Sequence, residues 1–156
     1  MGAGMILFAS SRKKKNWSHG RIIRHLILRG CIIIVLEKIL WTTVVFRTIG
    51  YTKFGVLFGL GGAMLIGSLL IRFNRFVLLI LGLAGIFITQ VLPQFITDIG
   101  LYDHPIATLL LVPQSMGTWI NTYPVLPWLS FSVLGMVFGK ELLKDSGKAY
   151  LKLLVL

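Results

Sequence analysis

Residues 76–96 read FVLLILGLAGIFITQVLPQFI, twenty-one positions without a single Asp, Glu, Lys or Arg. As a helix this stretch rises about 32 Å, and the hydrocarbon layer of a bilayer is about 30 Å thick. A soluble core helix would break the run with polar residues at a period of 3.6. Lipid offers no partner for backbone N–H and C=O groups, so a run that faces it must satisfy them internally, as a helix. The short alternating segments of a membrane β-barrel are not in the pattern. Gly82 and Gly85 leave room for a neighbouring backbone, and Pro93 predicts a kink or a stop near the end of the run.

The rest of the chain agrees with that reading. Of its 156 residues 56% are hydrophobic and only 13% charged, whereas a soluble domain carries about 25% charged residues. The net charge of +11 would suit a nucleic-acid partner only if the cations lined one face. Instead they flank apolar runs as topology signals, so no nucleic acid is expected. The lone cysteine, Cys31, lies inside an apolar run. It makes no disulfide framework or metal-thiolate spacing, and it is expected to be a buried packing residue.

Working outward, 54–71, 125–143 and 22–46 read as three further spans. On 54–71, Gly55, Gly59, Ala63 and Gly67 recur every fourth residue and form a smooth ridge, widened by Gly61 and Gly62. Segment 125–143 holds the pair Gly135 and Gly139, and is entered through Tyr123 and Trp128, residues suited to the membrane interface. Residues 1–11 are apolar but short, and run into Arg12-Lys13-Lys14-Lys15. The positive charge follows the apolar stretch, which is not the order of a secretory signal. The segment is expected to be the second half of a span whose first half precedes it, against an interfacial anchor lying at the headgroups. Segment 97–123 is rich in turn formers and reads as an outer loop, its run 106–112 too short to cross. The tail 144–156 is amphipathic. The expected fold is therefore all-α, a polytopic transmembrane bundle with four full spans plus a partial N-terminal one, in a single membrane domain over 1–156.

Charge sets the orientation. With the loop before Ile22 cytoplasmic, that side holds Arg12, Lys13, Lys14, Lys15, Arg21, Arg72, Arg75, Lys140, Lys144, Lys148 and Lys152, and the other only Arg47 and Lys53. The reverse orientation would violate the positive-inside bias. A multi-pass protein of a bacterial plasma membrane, its C-terminus cytoplasmic, is the expectation.

Segment 22–46 carries Arg24, His25, Arg29, Glu37 and Lys38. Arg24 and Lys38 reach opposite interfaces by snorkelling. Arg29 and Glu37 lie deeper, where a charge facing lipid would cost about 2.5–3.5 kcal/mol on insertion scales, so each should meet a helix, water or a ligand. Arg21, His25 and Arg29 share one helical face. Arg29 and Glu37 stand about 12 Å apart along the axis and cannot pair directly. Arg29 is a candidate for a phosphate or carboxylate by bidentate hydrogen bonds, against a structural ion pair. The Arg12–Lys15 cluster could also meet phosphates, although topology and anionic lipid explain it. His104, next to Asp103, is a candidate general base, against a plain turn in Tyr-Asp-His-Pro. No metal site is expected, and no phosphate-loop, serine-elbow or zinc motif occurs.

Three stretches together resemble the heparan-alpha-glucosaminide N-acetyltransferase-like family of multi-span membrane acyltransferases. They are GAGMILFASSRKKK (2–15) leading to Arg29-Gly30, the glycine-rich FGVLFGLGGAMLIGSLL (54–70), and YPVLPWLSFSVLGMVFGK (123–140) with its Tyr-Pro, Pro-Trp and Gly-x-x-x-Gly. The resemblance covers nearly the whole chain. It implies transfer of an acyl group from acetyl-CoA or another acyl-CoA co-substrate to a carbohydrate-type acceptor. No bound cofactor is implied. It also implies that the family's active-site histidine and opening segment lie ahead of residue 1. Lipid is the expected partner, with a second copy or further helices of a longer chain beside it. The rival readings are a small transporter subunit or scaffold without chemistry, with Arg29 and Glu37 lining a path, and a non-functional fragment.

Overall fold

The computed structural model describes residues 1–41, 52–98, 104–117 and 119–144. The chain is mostly helical. In order it forms α1 (Gly2–Lys14), α2 (His19–Ile39), β1 (Thr52–Phe54), α3 (Val56–Leu70), α4 (Arg75–Asp98), α5 (Pro105–Leu110), β2 (Gln114–Met116), β3 (Trp119–Asn121) and α6 (Val125–Lys144). Helix α6 is central, packing against α1, α3 and α4, while α2 packs on α3.

Among the described residues two helices, not four, are long and apolar enough to cross a membrane: Arg75–Phe95, of mean hydropathy 2.3, and Val125–Lys144, of mean hydropathy 1.3. Helix α3 has 15 residues, which rise about 22 Å and fall short of the ~30 Å hydrocarbon layer. Its start is set by Gly55, which is extended at φ −103° and leaves α3 without a side-chain cap of its own. Helix α2 has the length, but Arg21, Arg24, Arg29, Glu37 and Lys38 interrupt its apolar face. Positions 42–46 of the expected span 22–46 lie outside the described residues, as does the tail beyond Lys144.

Packing follows the small residues. Helices α2 and α3 meet backbone to backbone: a Cβ on Gly30 would lie 3.0 Å from the Gly61 carbonyl oxygen, and one on Gly61 2.8 Å from that of Gly30. On α4, Gly82 accepts Leu134 of α6, and Leu78 is fully buried. The opposite side of α4 is bare, with Phe76, Ile80, Leu83 and Phe87 each more than half exposed. An apolar face of this extent marks a surface that meets lipid or another apolar partner. Pro93 sits inside α4 rather than ending it.

Residues 1–11 belong to a helix that runs on through the basic residues to Lys14 and packs on α6. Gly2, Met5 and Ile6 are buried; Gly135 lies 3.4 Å and Gly139 2.9 Å, measured from an added Cβ, from backbone atoms of Gly2 and Ala3. The core joins Met5, Ile6, Ile22, Leu26, Leu78, Val133 and Met136.

Two local expectations change. Cys31 is exposed rather than buried, because it falls with Leu28, Ile32 and Val35 on the side of α2 turned away from α3. The segment 97–123 contains structure of its own, namely α5 and a hairpin of β2 and β3. Strand β3 pairs antiparallel with β2 and parallel with β1, giving the order β1-β3-β2. Three-residue strands are too short for alternation to announce them.

Candidate functional site

The site begins with a turn. Helix α1 ends with Trp17 N–H donating to the Arg12 carbonyl (3.1 Å) and Asn16 N–H to that of Lys13 (3.0 Å). Asn16 takes φ +57°. This is the Schellman stop, in which a left-handed residue satisfies the last helical carbonyls, and Asn is one of few side chains suited to it. Ser18 then caps α2, its Oγ accepting from Arg21 N–H at 3.3 Å. The chain reverses within a few residues and brings Trp17 back over the end of α1.

Around that turn three guanidinium groups gather on two rings. Arg12 lies 5.2 Å from the Phe8 centroid and 4.8 Å from that of Trp17; Arg21 is 4.3 Å from Trp17, and Arg29 5.2 Å from Phe8. His25 stacks on Phe8 at 5.1 Å and meets Trp17 edge-on at 5.9 Å. The stripe Arg21, His25, Arg29 thus faces α1. Each cation–π contact contributes about 0.5–1 kcal/mol at exposed sites and more when dry. The aromatic faces hold the cations in place without neutralising them. Among the described residues the only ion pair is Arg75–Glu141 at 3.0 Å, elsewhere on α4 and α6. The arrangement is suited to a planar or phosphorylated anion, with guanidinium donors for oxygens and Trp17 and His25 as stacking surfaces.

Glu37 is placed differently. It is 2% exposed, and its carboxylate accepts hydrogen bonds from Phe58 N–H of α3 and from Trp41 Nε1 (3.2 Å). It therefore caps the N-terminus of α3 from the neighbouring helix, where the exposed N–H groups and the dipole favour negative charge. Gly55 makes room for this: a Cβ there would overlap Glu37 Oε1. Lys38 Nζ lies over the Phe54 ring at 3.5 Å. Among the described residues the contacts of Arg29 and those of Glu37 are with different residues.

The other small residues of α3 have distinct neighbours. Gly59 lies against Trp128, whose ring is 6.1 Å from that of Tyr123. Ala63 is wholly buried, and Gly67 lies against Met136 and Met5.

His104 caps α5: its Nδ1 accepts from Ile106 N–H at 3.4 Å, and its carbonyl accepts from Thr108 Oγ1 at 2.8 Å. In this arrangement Nδ1 serves the start of α5, and Nε2 is the ring nitrogen left for another partner. Asp103 lies outside the described residues. No group of three His, Cys, Asp or Glu that would hold a metal occurs among the described residues.

Sequence reasoning reached Arg29 and Glu37 but not Phe8 and Trp17. The signals for them were present in Asn16-Trp17-Ser18, a helix stop followed by a helix cap.

No curated protein and no solved structure matches the chain. One family model does, described as heparan-alpha-glucosaminide N-acetyltransferase, catalytic, and it aligns with residues 1–154. With the match running almost end to end, the chain belongs to the heparan-alpha-glucosaminide N-acetyltransferase catalytic-domain family.

Proposed function

We propose that this chain is part of a membrane acyltransferase that binds an acyl-CoA donor at the α1–α2 turn and serves transfer of the acetyl group to a carbohydrate-type acceptor. The observation that carries the reading is the set of Arg12, Arg21 and Arg29 around Phe8, Trp17 and His25. A CoA thioester offers both things such a set recognises, a flat adenine and several phosphate charges. In the transfer the thioester C–S bond breaks and a C–N or C–O bond forms at the acetyl carbonyl, while the acceptor's proton ends on the CoA sulfur. Arg29 and its neighbours hold and orient the donor; no residue of this chain is assigned as the base.

The same reading makes the chain a multi-pass protein of a bacterial plasma membrane, a single domain with its basic turn and C-terminus cytoplasmic. The bare face of α4 then lies against acyl chains, or against another copy.

The test is binding of labelled acetyl-CoA to the detergent-purified chain beside Arg29→Ala. A charge-assisted hydrogen bond is worth about 1.5–3 kcal/mol, so the substitution should weaken binding roughly 10- to 150-fold. A folded wild type that does not bind, or an Arg29→Ala protein that binds as well, refutes the assignment.

A further inference from the structure

On the opposite side of α1 from the arginine cluster lies a second basic feature. Lys13, His19 and Lys140, from α1, α2 and α6, line the mouth of a cavity of about 330 Å³. Its floor is apolar and includes Ile6, Ile22 and Ile71, exposed by only 4%, 1% and 7%. The volume falls within the range of small-molecule sites, which begins near ~300 Å³.

Among the described residues no carboxylate lines the cavity. Glu141, next to Lys140 in sequence, is turned to Arg75, and Glu37 stands about 27 Å further along α2 than His19. Lys140 Nζ donates to the Phe73 carbonyl oxygen; an ammonium has three donors, so two remain for another acceptor. Two ammonium groups and an imidazole above a buried apolar floor match an amphiphile with a negatively charged head. A soluble phosphate would use the rim and leave the floor empty.

From this geometry we infer that the cavity is a binding site for an anionic phospholipid, its phosphate held by Lys13, His19 and Lys140 and the start of an acyl chain lying on Ile6, Ile22 and Ile71. The site stands where the chain's basic segments converge, the level at which a negatively charged leaflet presents its headgroups. The inference rests on the membrane reading above but not on acyl-CoA binding, since it shares no residue with the arginine cluster.

The experiment uses the full chain in nanodiscs of phosphatidylcholine with one-fifth phosphatidylglycerol, followed by native mass spectrometry of the protein released from them. Wild type should retain phosphatidylglycerol over phosphatidylcholine. Removing two cations near an anionic lipid should reduce that retention roughly 10- to 30-fold. Lys13→Gln/Lys140→Gln should show this. Lys13→Gln/His19→Gln, which leaves the bond from Lys140 to Phe73 intact, removes one full charge and one hydrogen-bonding ring and should reduce the retention about fivefold. Both should keep wild-type acetyl-CoA affinity. Equal retention by the second variant, no preference between the two lipids, or displacement of phosphatidylglycerol by free CoA would each overturn the site. A chain that stays monodisperse without detergent would instead refute the membrane reading itself.

Discussion

The buried carboxylate of Glu37 and the missing side chain of Gly55 form one device, and its parts can be separated. Glu37→Ala removes two hydrogen bonds to a charged acceptor and leaves Phe58 N–H and Trp41 Nε1 without this partner. Each such bond is worth about 1.5–3 kcal/mol, and removing one partner of a buried charged set costs about 3–5 kcal/mol. For a chain of this size one kcal/mol corresponds to about 2–4 °C, so melting should fall by about 6–20 °C. Gly55→Ala reaches the same point from the other side. At φ −103° the backbone accepts alanine, so the penalty comes from overlap with Glu37 Oε1 and from closeness to Trp41 Nε1, 3.4 Å from the new Cβ. The carboxylate must then leave the end of α3.

The double variant decides between this account and two unrelated losses. Once Glu37 is alanine the overlap is gone and only the contact with Trp41 Nε1 at 3.4 Å remains, so Gly55→Ala should cost little beyond the cap preference of glycine over alanine, under about 1 kcal/mol. A coupling of about 1–3 kcal/mol is expected, against ~0.3–0.5 kcal/mol for independent sites. The assay is thermal unfolding in mild detergent at one scan rate, followed by tryptophan fluorescence. Additive losses, or a Glu37→Ala protein that melts no lower than wild type, would show that Glu37 is not the cap of α3.

Gly139→Ala should destabilise by about 1–3 kcal/mol, because its Cβ would sit 2.9 Å from Ala3 Cα and force α1 off α6. Gly4→Ala on the exposed side of α1, with nothing within 4 Å, should instead stabilise by about 0.5–1 kcal/mol; the same melting assay reads both signs. Replacing Glu141 by Gln should move stability by less than about 1 kcal/mol, since Arg75 and Glu141 are 40% and 45% exposed in their pair. A larger loss would mean that the pair is shielded from water in the membrane.

What was legible in the sequence was what depends on one segment at a time. The run 76–96 and the run 125–143 declare themselves because a helix able to cross a membrane needs only length and few charges, and both lie within helices of the fold, α4 and α6. The stripe of Arg21, His25 and Arg29, spaced four apart, was visible for the same reason: helical spacing alone puts those residues on one face. What could not be read was anything that required knowing which segment comes next to which. Glu37 finds Phe58 twenty-one residues away, and no periodicity links a glutamate near the end of one helix to the open N-terminus of another. The strands β1 and β3 are likewise joined across 67 positions and more, from Phe54 to Asn121 and Thr122. The α1–α2 turn falls between the two cases. Its chemistry is local, an asparagine that tolerates positive φ and a serine that caps, yet its consequence is tertiary, because only the reversal at Asn16 turns Phe8 and Trp17 from parts of an apolar tail into the floor beneath three arginines. Residues 1–11 form most of the helix that leads into that reversal. Once it is in place, their small residues are the surface on which α6 closes, and the arginine cluster follows from where that surface ends.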